Sequence, residues 1–356
     1  MRRNANRAGS RQPVSGRRYL TGTLLAFVLT VVMALVSAIT YPSFADSPPT
    51  SSANPLAAGL VTEVHAVTVD GVRRTYRSIM SVQATGRVPL LIVLHGRGQT
   101  DFVAASQTGF LGLAEQRRAV LVFPDGEHRS WDAGHGCCGF AGSRHAPDVP
   151  FVAAIVADAV RRWPVDVERV YLVGYSNGGK LAYSVVCADP KLFAAAATYG
   201  AVPLSPCSPG TPAVPFLLAA GTADPVLPFH GRPTGHPPLP AVPQAVDWLR
   251  TQDGCPARAQ TGRDGSAVVQ RWADCAGGTN VESVVYPGWG HAWPAARAGG
   301  RSPAAAALMW AFLSRHGARS IRPTAGAAVP GDPRLGARGW TDPGRRHRGG
   351  PRAQPD

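Results

Sequence analysis

A serine between glycines stands directly after an apolar run. The motif Gly-Tyr-Ser-Asn-Gly at residues 174–178 follows the run 170–173 and precedes a stretch with helical spacing. Where a strand turns straight into a helix, such glycines remove side chains that would collide, and the serine hydroxyl stands at the tip of the turn. The N–H of Asn177 then points outward at a helix start, where developing negative charge is favoured. The pattern predicts Ser176 as a nucleophile, and a plain strand–helix turn is the alternative.

A serine nucleophile needs a base to take its proton and an acid to orient that base. Asp224 follows the apolar run 215–219, and His291 follows the run 281–286. In a parallel sheet, functional side chains gather at the carboxyl ends of the strands. We therefore predict Asp224 as the orienting acid and His291 as the base. A turn aspartate and a structural histidine are the alternatives.

The oxygen of an attacked carbonyl needs two N–H donors for its developing charge, and Asn177 supplies one of them. The second is expected after the run 89–94, where the sequence reads His-Gly-Arg-Gly from position 95. We predict the N–H of Arg97 as this donor, with Gly96 as the less favoured choice. His95 is expected to be structural and to bond within its own loop.

The strands and helices that must position these groups alternate along the chain. Apolar runs typical of strands buried on both faces occupy residues 89–95, 119–123, 170–173, 192–198, 215–219 and 281–286. Helical spacing occupies residues 149–163, 178–186, 243–249 and 304–312. This alternation predicts an α/β fold with a mostly parallel central sheet and helices on both faces. An antiparallel pair, 61–69 and 72–80, is predicted to precede it.

The amino-terminal segment has the pattern of an export signal. Residues 1–18 hold six arginines and no acidic residue. The uncharged stretch 19–45 ends with the small residues Ser43 and Ala45, at positions −3 and −1 of a cleavage site after Ala45. We predict a signal peptide over residues 1–45, cleaved after Ala45. An uncleaved membrane anchor is the alternative. In either case the protein is expected to be extracellular, or anchored at the cell envelope and in contact with the membrane through this segment alone.

The remaining chain divides by composition and charge. Residues 46–58 read as a polar linker, 59–315 as one catalytic domain, and 316–356 as a basic Gly/Pro/Arg-rich tail that is expected to be disordered. Adhesion of the tail to an anionic cell wall is the alternative. The net charge is +14, of which residues 1–18 carry +6 and the tail +5, leaving +3 for the rest. This near-neutral remainder argues against a nucleic-acid enzyme.

Several motifs occur together in a known order. They are Leu-His-Gly at 94–96, Trp-Asp-Ala-Gly at 131–134 with Cys-Cys-Gly at 137–139 and Asp-Val-Pro-Phe-Val at 148–152, Gly-Tyr-Ser-Asn-Gly-Gly at 174–179, Gly-Thr-Ala-Asp-Pro-Val-Leu-Pro-Phe at 221–229, and Gly-His-Ala-Trp-Pro at 290–294. Over roughly residues 59–315 the chain resembles the secreted polyhydroxybutyrate depolymerase and feruloyl esterase family of α/β-hydrolases, its LpqC-like members included.

The resemblance implies an α/β-hydrolase fold and hydrolysis of carboxylic esters outside the cell, without fixing the acid. Two positions depart from the family. Pro147 stands where many relatives have an acidic residue, and Arg97 stands where polymer depolymerases often carry cysteine. No separate polymer-binding module is expected from this sequence. This expectation favours soluble or short esters over crystalline polyester.

Six cysteines in an exported chain predict disulfides. We expect Cys255–Cys275 around a hairpin-like run and Cys187–Cys207 between the helix after the nucleophile and a later loop. The remaining cysteines are the adjacent Cys137 and Cys138. They either bond to each other or exchange partners with Cys187 and Cys207. Histidines near that pair fit no standard zinc ligand set. The Gly-x-Gly-x-x-Gly match at 134–139 neither follows a strand directly nor opens a helix, so dinucleotide binding is rejected.

The predicted activity is that of a serine carboxylic-ester hydrolase that needs no metal or cofactor. Its expected partner is an ester substrate, either a polyester oligomer or an esterified polysaccharide fragment. Trp131, Trp289 and Trp293 are candidates to line the acyl pocket, with core packing as the alternative. Two other functions stay open: an exported serine peptidase of the same fold, and a catalytically inactive cell-envelope binding protein.

Overall fold

The computed structural model describes residues 59–83, 85–295 and 303–317. The predicted signal, the linker and nearly all of the basic tail lie outside the described residues. Within the described part of the chain, no helix is long and apolar enough to cross a membrane.

The centre of the fold is a ten-stranded sheet in the order β1-β2-β4-β3-β5-β6-β7-β10-β9-β8. Strands β4, β3, β5, β6, β7 and β10 are parallel neighbours, and antiparallel strands extend both edges. The strands are β1 Leu60–Val69, β2 Val72–Ser81, β3 Val88–Leu94, β4 Val120–Pro124, β5 Val165–Tyr175, β6 Ala195–Tyr199, β7 Phe216–Gly221, β8 Gln260–Asp264, β9 Ala267–Trp272 and β10 Val281–Tyr286.

Within the described ranges, seven α-helices cover the two faces of this sheet. They are α1 Asp101–Gln107, α2 Leu111–Glu115, α3 Gly139–Arg144, α4 Asp148–Arg162, α5 Asn177–Ala188, α6 Val242–Gln252 and α7 Ala305–Leu313, with 3₁₀ turns at Glu127–Arg129 and Ala276–Gly278. One hydrophobic core contains side chains of α4, α5 and α6. The other contains side chains of α1, α2 and α7. The predicted α/β class, with a mostly parallel sheet and helices on both faces, is confirmed.

The central strands are apolar throughout because both of their faces are buried. In β3, Leu90 and Ile92 belong to one core, whereas Leu91 and Val93 belong to the other. Successive side chains of a strand point to opposite faces, so a strand between two helical layers has no polar side. Each of the six apolar runs accordingly contains a strand. The short helices α1, α2 and α3 were not predicted, because five to seven residues are too few for a helical period to stand out.

Three disulfides join the six cysteines. One ties α5 to the loop after β6, and another closes the segment that contains the β8–β9 hairpin. No cysteine among the described residues is free. Of the arrangements that the sequence left open, the structure has the one in which the adjacent pair bonds to itself. The three pairs are Cys137–Cys138, Cys187–Cys207 and Cys255–Cys275.

A buried ion pair connects the first hairpin to helix α4. Arg74 Nη2 lies 2.8 Å from Asp148 Oδ1, and the side chains are 6% and 0% exposed. The second carboxylate oxygen accepts the N–H of Asp132 at 2.6 Å, while the Arg74 guanidinium lies 4.2 Å from the centre of the Phe151 ring. Burial raises the pKa of Asp148 above its ordinary value, and Arg74 opposes that rise. The carboxylate therefore depends on Arg74 for its charge partner.

Replacing Arg74 by Met leaves this carboxylate without a charge partner. We expect the Arg74→Met variant to lose about 3–5 kcal/mol of unfolding free energy, the cost of breaking one side of a buried pair. Urea unfolding followed by circular dichroism measures it. The neighbouring Arg73 is exposed, and Arg73→Met should stay within about 0.5 kcal/mol of the parent protein. Equal losses in the two variants would contradict this account of the pair.

Candidate active site

Ser176 lies at the turn between strand β5 and helix α5 with φ 52° and ψ −117°, a backbone conformation that a side chain disfavours. The N–H of Ser176 donates to the Tyr199 carbonyl at 2.9 Å, which attaches the turn to the end of β6. A methyl group at Gly178 would stand 2.5 Å from the carbonyl oxygens of Leu94 and His95. Only glycine lets the helix start approach the end of β3 this closely, so position 178 holds the turn against the sheet.

The structure brings Ser176, His291 and Asp224 into one chain of hydrogen bonds. Ser176 Oγ lies 2.8 Å from His291 Nε2, and His291 Nδ1 lies 2.7 Å from Asp224 Oδ2. The other carboxylate oxygen accepts the N–H groups of Val226 and Leu227, each at 2.8 Å. Burial disfavours the Asp224 carboxylate, but the hydrogen bond to His291 and these two N–H groups outweigh it and hold the pKa of Asp224 below its usual value.

Two phenols, one buried and one partly buried, hold the loop that carries His291. Tyr199 donates its hydroxyl to the Gly290 carbonyl at 2.7 Å, and Tyr175 donates to the His291 carbonyl at 2.9 Å. Burial raises the pKa of Tyr175 to about 12, so this phenol stays a proton donor at neutral pH. The N–H of Ala223 also donates to the Trp289 carbonyl at 3.0 Å. The acid loop and the base loop are thereby joined to each other as well as to the sheet.

The loop after β3 contains a backbone N–H for which no acceptor is found among the described residues. The N–H of Gly96 donates to Gln99 Oε1 at 2.9 Å, and that of Gly98 donates to the Arg129 carbonyl at 2.7 Å. No acceptor among the described residues takes the N–H of Arg97 or of Asn177. Of the two donors considered in the loop, Arg97 is therefore the available one, because Gly96 is already engaged.

His95 supports this loop from beneath. Its Nδ1 lies 2.9 Å from the Gly96 carbonyl, and its Nε2 accepts the N–H of Gly126 at 2.9 Å. A carbonyl can only accept and an N–H can only donate, so the neutral ring with its proton on Nδ1 satisfies both contacts. Burial lowers the pKa of His95 to about 4, which keeps the ring in that form. As expected from the sequence, its hydrogen bonds are structural, but they reach a second loop as well as its own.

Trp131 does not line a substrate pocket in this structure. Its side chain has no exposed surface, and its Nε1 donates to the His95 carbonyl at 2.8 Å. The side-chain amide of Asn177 holds the backbone of Trp131, accepting its N–H at 2.8 Å and donating to its carbonyl at 3.0 Å. Packing against the Phe151 ring completes its surroundings. This corrects the acyl-pocket expectation for Trp131, because the loop folds the indole inward.

The other two tryptophans lie beside the His291 loop. Trp293 donates its Nε1 to the Thr108 carbonyl at 3.0 Å and packs against the rings of Tyr175 and Tyr199. Trp289 donates to the Ala292 carbonyl at 2.7 Å and is partly exposed. Both contribute to the shape of this loop, and their contact with an acyl group remains a prediction.

Comparison with known proteins shows the family to which the sequence belongs. Residues 74–282 match the model of the family described as esterase PHB depolymerase. The chain belongs to this family. It is a carboxylic ester hydrolase, and the predicted family relationship is confirmed.

Named relatives agree with this assignment. The protein NocK of Nocardia uniformis subsp. tsuyamanensis, named as an esterase, is 30% identical over 264 residues, which cover 67% of this chain and 75% of NocK. Feruloyl esterase D of Neurospora crassa is 27% identical over 212 residues, covering 58% of this chain and 65% of that protein. The fold is shared with an acetyl xylan esterase from Aspergillus awamori, at a TM-score of 0.53 and 14% identity over 71% of this chain and 99% of that one.

Sequence reasoning missed the groups that support the site from behind. Examples are the phenols of Tyr175 and Tyr199, the side-chain amide of Asn177 and the second hydrogen bond of His95. Tyr175 and Asn177 lie inside the serine motif, but the motif does not show which backbone groups their side chains contact. Among the described residues, no group of three or more His, Cys, Asp or Glu side chains is arranged to hold a metal ion.

Gly178→Ala tests the close approach of helix α5 to strand β3. The added methyl group meets backbone oxygens that cannot rotate away, so we expect a loss of about 1–3 kcal/mol in unfolding free energy. We also expect kcat/KM for p-nitrophenyl acetate to fall by about ten- to a hundredfold, because Ser176 and Asn177 shift together. Gly262→Ala is the control, since nothing lies within 4 Å of a methyl group there. A Gly178→Ala variant with parent-like stability and activity would contradict the packing argument.

The depressed pKa of His95 predicts a specific acid sensitivity. The folded ring stays neutral down to about pH 4, whereas the unfolded chain takes up a proton below about pH 6.5. Stability from this group is therefore complete above about pH 6.5 and is lost as the pH falls to about 4. Between pH 7 and pH 4.5 the loss is about 2–3 kcal/mol.

His95→Gln removes this titration. Although the variant is less stable at pH 7, its unfolding free energy should fall between pH 7 and pH 4.5 by about 2–3 kcal/mol less than that of the parent protein. Urea unfolding at the two pH values measures the difference. Identical pH dependence in both proteins would show that the His95 ring takes up its proton at the same pH in the folded protein as in the unfolded chain, which would contradict the lowered pKa.

Proposed function

We propose that this enzyme is a secreted serine esterase with Ser176 as nucleophile, His291 as general base and Asp224 as the acid that orients His291. The observation that carries the proposal is the continuous hydrogen-bonded chain from Ser176 Oγ through both ring nitrogens of His291 to the Asp224 carboxylate. This is the arrangement that activates a serine hydroxyl in acyl transfer. The membership in an esterase family supports the same reaction.

In the proposed mechanism, Ser176 Oγ attacks the ester carbonyl while His291 Nε2 accepts the hydroxyl proton. Asp224 accepts the hydrogen bond from Nδ1 and stabilises the imidazolium that forms. The N–H groups of Asn177 and Arg97 donate to the oxyanion of the tetrahedral intermediate. His291 then returns the proton to the leaving alcohol, which leaves an acyl group on Ser176. Water, activated by His291, attacks this acyl-enzyme and releases the acid.

The proposed substrates are polyester oligomers or esterified polysaccharide fragments. A PHB depolymerase family model and a relative named as a feruloyl esterase support these two ester classes. Export is supported by three disulfides, which persist in oxidising environments, and by the basic-then-apolar start of the sequence. The protein would then act outside the cytoplasm, with contact to a membrane only through residues 1–45 if these are retained.

A hydrolysis panel with the purified protein and its Ser176→Ala variant tests the mechanism. The panel contains p-nitrophenyl acetate, a 3-hydroxybutyrate oligomer and methyl ferulate. We expect turnover by the parent protein and a residual rate at least about 10³-fold lower in the variant. The preferred ester decides between polyester and plant-wall substrates. Absence of turnover in both proteins, while both remain folded, would favour the binding-protein alternative, and equal turnover would exclude Ser176 as nucleophile.

The Asp224→Asn substitution tests the role of the acid. An amide in this place cannot stabilise the imidazolium and favours the wrong proton position on His291, so we expect kcat to fall by about 10⁴-fold while the fold persists. Asp247→Asn removes a carboxylate from an exposed pair with Arg250 and serves as the control. Parent-like kcat in Asp224→Asn would mean that His291 does not need this carboxylate.

A further inference from the structure

A cavity lined by arginines lies at one edge of the central sheet. Its volume is about 480 Å³, which is within the range of small-molecule sites. None of the nine described residues that line it is acidic, and four are arginines: Arg87, Arg117, Arg118 and Arg169. We call these four residues the arginine cluster.

The arginine cluster is assembled by three neighbouring strands. Arg87 directly precedes β3, Arg117 and Arg118 stand just before β4, and Arg169 lies in the first half of β5. Because β4, β3 and β5 are parallel neighbours, their amino-terminal ends share one edge of the sheet. Ser176 follows the carboxyl end of β5, at the opposite edge. The cavity is therefore separate from the candidate active site.

The positive charge of the cluster is only partly neutralised by protein carboxylates. Arg169 Nε lies 2.6 Å from Asp166 Oδ2. The hydrogen bond from Arg169 lowers the pKa of Asp166, and the charge of Arg87 acts in the same direction. Within the described ranges, no carboxylate oxygen lies within 4.0 Å of a side-chain nitrogen of Arg87, Arg117 or Arg118. One carboxylate thus faces four guanidinium groups.

Two of these guanidinium groups have uncharged neighbours. Arg117 Nη2 donates to Gln83 Oε1. The guanidinium carbon of Arg118 lies 5.3 Å from the centre of the Trp310 ring, and Trp310 lines the same cavity. An amide and an aromatic ring can orient a guanidinium group, but neither carries a compensating negative charge. Both groups keep their full charge beside the cavity.

The composition of the chain does not account for this concentration of charge. Once the two basic ends are set aside, residues 19–315 carry a net charge of only +3. A cavity lined by charges of one sign attracts ligands of the opposite sign. Four arginines around one cavity therefore indicate an anionic ligand.

The geometry of the donors favours phosphate over carboxylate. Arginine binds both groups through paired N–H donors. A carboxylate offers two oxygens and a single charge, whereas a phosphate monoester offers three oxygens and a charge close to two. We propose that the arginine cluster binds a phosphomonoester or pyrophosphate group of a small phosphorylated ligand. This proposal does not depend on the proposed function of Ser176.

Calorimetric titration of the purified full-length protein with inorganic pyrophosphate tests the proposal. We expect one saturable site per chain and affinities about tenfold or more weaker in Arg87→Gln and Arg118→Gln, the effect of one hydrogen bond to a charged group. Arg263→Gln is the matched control, because it removes an exposed arginine from β8, the last strand at the far side of the sheet. Parent-like affinity in both cluster variants would overturn the proposal.

The basic segment 316–356 is the competing place for an anion, since it contains eight arginines. The double variant Arg345→Gln/Arg346→Gln removes two of them. We expect its affinity for pyrophosphate to stay parent-like. A loss as large as that in Arg118→Gln would assign the binding to the basic segment and would contradict the proposed site.

A phosphate group can be free in solution or belong to a lipid headgroup. Vesicles of phosphatidylcholine with phosphatidic acid distinguish these sources, with pure phosphatidylcholine as the control. A cavity ligand that is free in solution predicts that neither vesicle displaces pyrophosphate. Displacement by the phosphatidic acid vesicles alone would overturn the small ligand in favour of a lipid headgroup.

Protection from chemical modification locates the ligand directly. Phenylglyoxal modifies accessible guanidinium groups, and peptide mass spectrometry gives the rate at each arginine. We expect pyrophosphate to slow the modification of Arg87 and Arg118, while Arg263 reacts at an unchanged rate. This measurement uses the parent protein, so it holds even where a substituted variant folds poorly. Equal rates at Arg87 and Arg118 with and without pyrophosphate would overturn the proposal.

Discussion

Ser176 is held in a backbone conformation that a side chain disfavours, and the surrounding structure depends on keeping it there. With φ at 52°, the turn persists only because its neighbours over-determine it. The backbone of β6 accepts its N–H, and Gly178 lets helix α5 approach the end of β3. The hydroxyl and the N–H of Asn177 are thus placed by the sheet itself. The rest of the site is arranged around this fixed turn.

The loops above the sheet are fixed to the turn and to one another by hydrogen bonds rather than by apolar packing alone. Asn177 and His95 hold the loop that contains Trp131, while Tyr175 and Tyr199 hold the backbone on either side of His291. In each case an uncharged donor or acceptor meets a backbone group in a buried or partly buried place, where an unmet group would be costly. This arrangement positions the candidate triad before any substrate arrives, so little reorganisation is needed during the reaction.

The α/β class and the family could be predicted because local signals carry both. A strand buried on two faces must be apolar throughout, and the strand ends then show which residues meet at one edge of a parallel sheet. The interior position of Trp131 could not be predicted, because it follows from how residues 126–138 fold over α5. Lys180 was also missed. Its ammonium group lies beside the Cys137–Cys138 disulfide, and no local pattern joins these two segments.

We propose Ser176 as the activated nucleophile of this esterase. A fluorophosphonate reacts with a serine hydroxyl only where a base takes its proton and an oxyanion site holds the phosphoryl oxygen. We would label the purified protein with a fluorophosphonate and locate the adduct by peptide mass spectrometry. We expect one adduct per chain, on Ser176, that disappears in His291→Ala. An adduct on another serine, or an unlabelled Ser176 in a protein that hydrolyses esters, would contradict it.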